Sequence, residues 1–202
     1  MTAGRPRGAW NPAIARIAGA LAAREPQVAE RDEPFREAAV AIVLRARPDD
    51  DCDLLLIRRA TRASDPWSGQ IALPGGVYSA GDRSLEDTAV RETAEELGLD
   101  LRMYGTVLGA MDEVRPRISA LPPIIIRPYV CIVESSPPLV MNDEVAEYRW
   151  VALGSVFAPE VRVQTTVEAR ALRMHVEALQ VGDFTIWGLT ERILTSLQQL
   201  AG

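Results

Sequence analysis

Three acidic residues in one short segment constrain this chain more than any other feature. On a helical wheel of about 100 degrees per residue, Glu92, Glu95 and Glu96 fall on one stripe. Val90 and Leu97 fall on the opposite side, so a helix here buries one face and presents carboxylates on the other. Because like charges at this spacing destabilise an isolated helix, the stripe needs either water or a cation beside it.

Local signals predict where this acidic helix begins and ends. Ser84 can cap its first turn, and Asp87 three residues later completes a capping box. Gly98 can end it in the left-handed conformation. The preceding segment 73–76 reads Leu-Pro-Gly-Gly, and glycine lets backbone approach a ligand closely.

Two interpretations of the acidic stripe remain open at this point. Oxygen-rich side chains suit hard divalent ions, and Mg²⁺ binds through a few carboxylates, water and phosphate oxygens. This interpretation predicts a site that processes a diphosphate. The alternative is a solvated surface, since glutamate-rich helix faces are common.

The rest of the sequence predicts a mixed α/β domain. Alternating and β-branched runs predict strands at residues 38–44, 53–57, 106–111, 124–134 and 147–151. Helical spacing predicts further helices that open at Asn11-Pro12, cover residues 167–178, and cover residues 190–200 behind a Thr190 cap. The order of strands, helix, strands and helices is that of an α/β protein.

Length and composition limit the class of protein. The 202 residues fit one domain, in which we expect residues 1–34 to form an N-terminal helix and loop and residues 35–202 the main domain. The net charge of -6 argues against a general nucleic-acid-binding surface. No uninterrupted apolar run approaches the roughly 20 residues that span a bilayer. The isolated Cys52 and Cys131 argue against a disulfide framework or a zinc site. We therefore expect a soluble, cytoplasmic protein without a nucleic-acid or membrane partner.

Residues 91–99 resemble the second half of the Nudix box, the motif of the Nudix hydrolase family. They read Arg-Glu-Thr-Ala-Glu-Glu-Leu-Gly-Leu. The first half departs from the family pattern, because Arg83 stands where a Glu is usual and Val77 where a Gly is usual. One inserted residue restores both positions, with Gly76 as the glycine and Asp82 as the acid. This variant resembles the coenzyme A diphosphatase branch of the family.

The insertion gives Asp82 two alternative roles. Its side chain is one methylene shorter than that of Glu, so it could act on the metal region through a water molecule. It could instead only support the turn at Gly81 or the positive end of the following helix.

Two further segments are similar to the same branch. Residues 55–59 read Leu-Leu-Ile-Arg-Arg and, with Gly69-Gln70, resemble its signature before the box. The spacing between Arg59 and Gly69 is one residue longer than usual, and Ser64 stands where an Arg is usual. Residues 186–190 read Ile-Trp-Gly-Leu-Thr and resemble its closing motif, so the resemblance spans residues 37–200.

The resemblance implies an α/β/α sandwich with a central mixed sheet. It also implies hydrolysis of a diphosphate linkage in coenzyme A or its acyl derivatives, with Mg²⁺ or Mn²⁺ as cofactor. Glu92, Glu95 and Glu96 would be catalytic metal ligands. Glu144 would be a further catalytic carboxylate that takes the proton from water; without the resemblance it is only a loop acid.

The resemblance also assigns substrate binding to Arg58, Arg59, Gly75 and Gly76, although arginines at a strand end are often surface residues. The partner would then be a small-molecule diphosphate. Two rivals stay open: a hydrolase acting more broadly on nucleoside-diphosphate-linked compounds, and a non-catalytic module that binds a nucleotide or a protein. The oligomeric state also stays open, a homodimer included.

Overall fold

The computed structural model of the chain describes residues 10–62, 67–116, 123–134, 138–169 and 172–202. The helices there are α1 (Pro12–Ala22), α2 (Leu85–Leu97), α3 (Leu101–Tyr104), α4 (Leu153–Phe157) and α5 (Gly188–Ala201), with a 3-10 helix at Pro159–Val161. The strands are β1 (Arg36–Ala46), β2 (Cys52–Arg59), β3 (Ile71–Ala72), β4 (Gly75–Val77), β5 (Gly105–Ala110), β6 (Ile124–Val133), β7 (Val145–Ala152), β8 (Arg162–Ala169), β9 (Leu172–Val181) and β10 (Phe184–Trp187). Ser64 and the first nine residues of the predicted N-terminal segment lie outside the described residues.

Seven strands form one mixed sheet. Its order is β3-β2-β1-β6-β5, with β4 also paired to β1 and β7 to β2. The β1 and β6 strands run parallel, and the other pairs are antiparallel. Along β1, residues 44–46 pair with β2 while residues 38–40 pair with β4. This division places the two glycines of β4 beside the middle of the sheet.

The sheet has helices on both faces. Because successive strand residues point to opposite faces, Ala41 and Val43 of β1 pack in the cluster that contains Leu97 of α2. Ile42 packs on the other face, in the cluster that contains Ile17 of α1 and Leu194 of α5. The three layers confirm the predicted α/β/α sandwich with a mixed central sheet.

Helix α1 is part of this core. The Asn11 side chain accepts a hydrogen bond from the Ile14 N–H at 3.1 Å and so caps the helix. Ile14 and Ile17 are buried to 0% and 1% exposure. The predicted N-terminal helix therefore covers one face of the sheet together with α5.

The helix predicted at residues 167–178 is wrong. This region forms β8 and β9, an antiparallel pair in a three-stranded sheet with β10. Exposure alternates with a period of two over residues 162–168 of β8 and residues 173–178 of β9. Met174, Val176 and Ala178 alternate with Arg173, His175 and Glu177, and this alternation together with the β-branched Thr165, Thr166 and Val167 favours a strand.

The predicted C-terminal helix is confirmed, but Thr190 does not cap it. Helix α5 begins at Gly188 without a side-chain cap. The Thr190 hydroxyl instead donates to the Ile71 carbonyl at 3.1 Å, which joins α5 to β3. In the described part of the chain, no helix combines the length and apolar character needed to cross a bilayer.

Candidate active site

Helix α2 has the bounds that its capping residues predict. The Ser84 hydroxyl accepts from the Asp87 N–H at 3.1 Å. Gly98 ends the helix at φ 65° and donates its N–H to the Ala94 carbonyl. The helix packs its buried apolar side on β1 and β4. This packing fixes the orientation of the acidic stripe.

The three carboxylates of α2 differ in exposure. Glu96 is 2% exposed, and its Oε2 accepts a hydrogen bond from the Gly75 N–H at 2.9 Å. The Glu92 side chain is 16% exposed, whereas that of Glu95 is 55% exposed. The stripe therefore runs from the backbone of β4 outward to solvent.

Burial makes the inner carboxylates costly to ionise. It raises the pKa of Glu96 to about 7, although the Gly75 N–H and the charge of Arg59 act in the opposite direction. Burial also raises the pKa of Glu92, against the effect of Arg91. A divalent cation would favour the ionised form of both groups.

The glycines of β4 allow α2 to approach the sheet. A Cβ on Gly76 would lie 2.4 Å from Cδ of Glu92. Gly75 adopts φ +151°, and a Cβ there would lie 2.3 Å from the Ala39 carbonyl oxygen. Gly76 thus brings the backbone of β4 against Glu92, and Gly75 brings it against β1. Contact of either glycine with substrate stays a prediction.

Arg91 connects Asp82 to the acidic stripe. Its Nε and Nη2 donate to the two carboxylate oxygens of Asp82 at 2.8 and 2.9 Å. Its Nη1 donates to Glu92 Oε1 at 2.7 Å and to Glu95 Oε2 at 3.0 Å. One guanidinium group therefore holds the carboxylates of Asp82, Glu92 and Glu95 in place.

Asp82 also fixes the turn before α2. Its Oδ2 accepts from the Ser79 N–H and from the Thr88 hydroxyl, both at 2.9 Å. The bond to Arg91 holds the pKa of Asp82 well below its ordinary value. The side chain therefore supports the turn, and it reaches the acidic stripe through Arg91.

We expect Asp82→Asn to lower the free energy of unfolding by about 2 kcal/mol. Removing one partner of a fully buried ion pair costs about 3 to 5 kcal/mol, and the 29% exposure of the Arg91 side chain reduces this cost. Because the pKa of Asp82 is depressed in the folded state, the stabilisation is present above its ordinary pKa and is lost as the pH falls through the folded value.

Denaturant unfolding at neutral and acidic pH measures both effects. The wild type should lose stability on acidification more steeply than Asp82→Asn. Equal stability at neutral pH, with equal slopes below pH 4, would contradict the role assigned to Asp82.

The donor set of α2 fits a hard divalent ion. All three candidate ligands are carboxylates, which suit Mg²⁺ and Mn²⁺. Among the described residues, no group of three or more His, Cys, Asp or Glu side chains is already arranged as a set of metal ligands. Since Arg91 bonds to Glu92 and Glu95, binding of a metal ion here would require these carboxylates to rearrange around the ion.

The two arginines at the end of β2 have different surroundings. The charge of Arg59 lowers the pKa of Glu96, so Arg59 acts electrostatically on the acidic stripe. Arg58 instead donates to Glu147 at 3.1 Å and to Asp183 at 3.3 Å, and its guanidinium lies 4.8 Å from the Phe184 ring centroid. A substrate contact by Arg58 stays a prediction, and it would require Arg58 to leave these partners.

Glu144 acts electrostatically on the acidic stripe, and its catalytic role stays a prediction. Its charge raises the pKa of both Glu92 and Glu96. Its carbonyl oxygen accepts from the Ala60 N–H at 2.8 Å, and its carboxylate accepts from Arg62 Nη1 at 3.0 Å. Arg62 is not among the residues that the sequence indicates; its only signal is a basic residue three positions after Arg59.

The fold and the carboxylate helix together define an α/β/α protein of the Nudix class. The family model described as the NUDIX domain matches residues 35–170. The chain therefore belongs to the Nudix hydrolase family, which confirms the predicted family and class of enzyme.

Relatives and solved structures agree with this assignment. The chain is 32% identical over 160 residues to an uncharacterized protein of Schizosaccharomyces pombe, across 69% of this chain but only 49% of that protein. It is 30% identical over 163 residues to the uncharacterized Nudix hydrolase NudL of Pectobacterium atrosepticum, across 80% of this chain and 81% of that protein. The crystal structure of a MutT/nudix family protein from Enterococcus faecalis shares the fold, with a TM-score of 0.56 and 20% identity over 88% of this chain and 65% of that one.

Proposed function

We propose that this chain hydrolyses a diphosphate linkage with Mg²⁺ or Mn²⁺ held by Glu92, Glu95 and Glu96. The observation that carries the proposal is the buried Glu96 carboxylate, fixed by the Gly75 N–H at 2.9 Å. When bound, the metal supplies charge neutralisation at the phosphoryl oxygens and a water with a lowered pKa.

The chain's own residues supply the remaining parts of the reaction. Glu144 accepts the proton of the attacking water. Arg59, whose charge acts on Glu96, binds phosphate oxygens through its planar guanidinium group. Arg91 orients the outer carboxylates of α2 by its two bonds to them.

We infer that the substrate is coenzyme A or an acyl derivative, a small molecule of the cytoplasm. The inference rests on the resemblance of residues 55–59 and 186–190 to the coenzyme A diphosphatase branch. The products would be a phosphopantetheine fragment and adenosine 3',5'-bisphosphate.

The substrate assignment is tested by kcat/KM for coenzyme A, an acyl-coenzyme A, a nucleotide sugar, a dinucleotide and an oxidised nucleotide, each with Mg²⁺ and with Mn²⁺. We expect coenzyme A or its acyl derivative to be hydrolysed most efficiently. A tenfold higher kcat/KM for the nucleotide sugar would contradict this and favour the broader hydrolase. Binding without turnover across the panel would indicate the non-catalytic module.

A further inference from the structure

Arg62 joins the loop after β2 to the loop before β7. Its Nη1 donates to Glu144 Oε1 at 3.0 Å, and its Nη2 lies 2.9 Å from Asp143 Oδ2. Glu144 is the residue to which we assign proton acceptance. In the free protein, therefore, the Arg62 guanidinium is paired with the carboxylate that would accept the proton during the reaction.

The backbone of Arg62 is fixed although its side chain reaches solvent. The Ser68 hydroxyl accepts from the Arg62 N–H and donates to the Arg62 carbonyl, both at 2.7 Å. The carbonyl of Glu144 is also anchored, by the Ala60 N–H at 2.8 Å. Changes in this ion pair can therefore occur by rotation of side chains while these backbone hydrogen bonds stay in place.

The ion pair is accessible enough to exchange partners. The side chains of Arg62, Glu144 and Asp143 are 39%, 45% and 92% exposed. Exposed ion pairs contribute little to stability because water and salt compete for each charge. A guanidinium group matches two phosphate oxygens as well as it matches two carboxylate oxygens.

We propose that Arg62 is an exchangeable clamp, which pairs with Asp143 and Glu144 in the free protein and transfers to the phosphate oxygens of a bound diphosphate. The transfer releases the Glu144 carboxylate toward the site. Binding of the diphosphate and release of the proton acceptor from its ion pair are then coupled through one side chain. The proposal rests on the proposed function, because it takes the diphosphate site to lie beside Glu144.

The clamp predicts that removing the charge of Asp143 tightens diphosphate binding, because Asp143 competes with the diphosphate for Arg62. The experiment measures the Kd of methylenebisphosphonate, a non-hydrolysable diphosphate analogue, by isothermal titration calorimetry in Mg²⁺. The variants are Arg62→Gln, Arg62→Lys, Asp143→Asn and the double variant Arg62→Gln with Asp143→Asn. Arg173→Gln is the control, since its Nε lies 3.6 Å from Glu168 Oε1 in the separate small sheet.

We expect Arg62→Gln to weaken binding by about tenfold and Arg62→Lys by about threefold, because lysine keeps the charge but lacks the two-pronged donor group. Asp143→Asn should tighten binding by about two- to fivefold. It should have no effect when Arg62 is already Gln. The control should bind as the wild type does.

Two results would overturn the clamp and leave the hydrolase proposal standing. One is an unchanged Kd in Arg62→Gln while the wild type binds the analogue. The other is tighter binding in Asp143→Asn by the same factor in both backgrounds, which would show only a general charge effect. Failure of the wild type to bind the analogue with either Mg²⁺ or Mn²⁺ would overturn the diphosphate site itself, and the clamp with it.

Discussion

Glu96→Gln is expected to lower kcat by at least about a hundredfold while the chain stays folded. The substitution removes the charge of a proposed metal ligand but keeps an oxygen that can accept from the Gly75 N–H. Since the pKa of Glu96 is raised to about 7, its stabilising contribution is present below its ordinary value of 4.5 and is lost as the pH rises through 7. Gln avoids this loss, so the metal-free variant should be at least as stable as the wild type at pH 8.

A metal ligand and a structural residue are distinguished by these two effects together, because turnover should fall while stability at pH 8 is kept or raised. Glu86→Gln is the matched control, because Glu86 is an exposed acid in the first turn of the same helix. Steady-state kinetics and thermal unfolding of both variants give the comparison. Near-wild-type turnover in folded Glu96→Gln, or an equal loss in Glu86→Gln, would refute the assignment of the acidic stripe.

Gly75→Ala is expected to destabilise the chain by about 3 to 5 kcal/mol, enough to leave little folded protein. A Cβ at this position would lie 2.3 Å from the Ala39 carbonyl oxygen and 2.6 Å from Cα of Val40, both backbone atoms. The φ of +151° adds strain for any residue with a side chain. Because the strand cannot move without breaking its pairing with β1, the overlap is not relieved locally. Soluble yield and denaturant unfolding measure the loss.

Two neighbouring glycines provide contrasting controls. The three atoms nearest to a Cβ on Gly76 all belong to the end of the Glu92 side chain, which can rotate away. Gly76→Ala should therefore stay folded and lose turnover, since Glu92 is displaced. Gly81→Ala should stay within about 0.5 kcal/mol of the wild type, because among the described residues no atom beyond its two chain neighbours lies within 4 Å of the added Cβ. Equal stability of all three variants would contradict the packing assigned to β4.

The sequence predicts the elements whose signals are local. The bounds of α2 follow from Ser84 and Gly98, and the cap of α1 follows from Asn11. The acidic stripe follows from helical spacing alone, because residues three and four apart share a face. The order of these elements, with the box resemblance, then predicts the α/β/α sandwich.

Features that depend on tertiary contacts could not be predicted in this way. The difference between Arg58 and Arg59 arises because the two side chains have different surroundings, with Phe184 beside Arg58 and Arg59 acting electrostatically on Glu96. Arg62 meets Glu144 across 82 residues of sequence. The sequence predicts a helix at residues 167–178 for another reason, because a few apolar positions there fit a helical period. The exposure in the structure alternates with a period of two, as in the strands β8 and β9.

The central claim is that the carboxylates of α2 hold a divalent ion that is required for diphosphate cleavage. The most direct measurement follows coenzyme A by phosphorus-31 NMR with the purified wild type, in Mg²⁺, or in Mn²⁺ with EDTA added before the spectrum is recorded because Mn²⁺ is paramagnetic, and again with excess EDTA present from the start. We expect the diphosphate signals to be replaced by phosphomonoester signals with metal, and to persist with EDTA. Cleavage at the same rate in EDTA would contradict the claim, as would intact diphosphate with both metals when the other diphosphates of the panel are also left uncut.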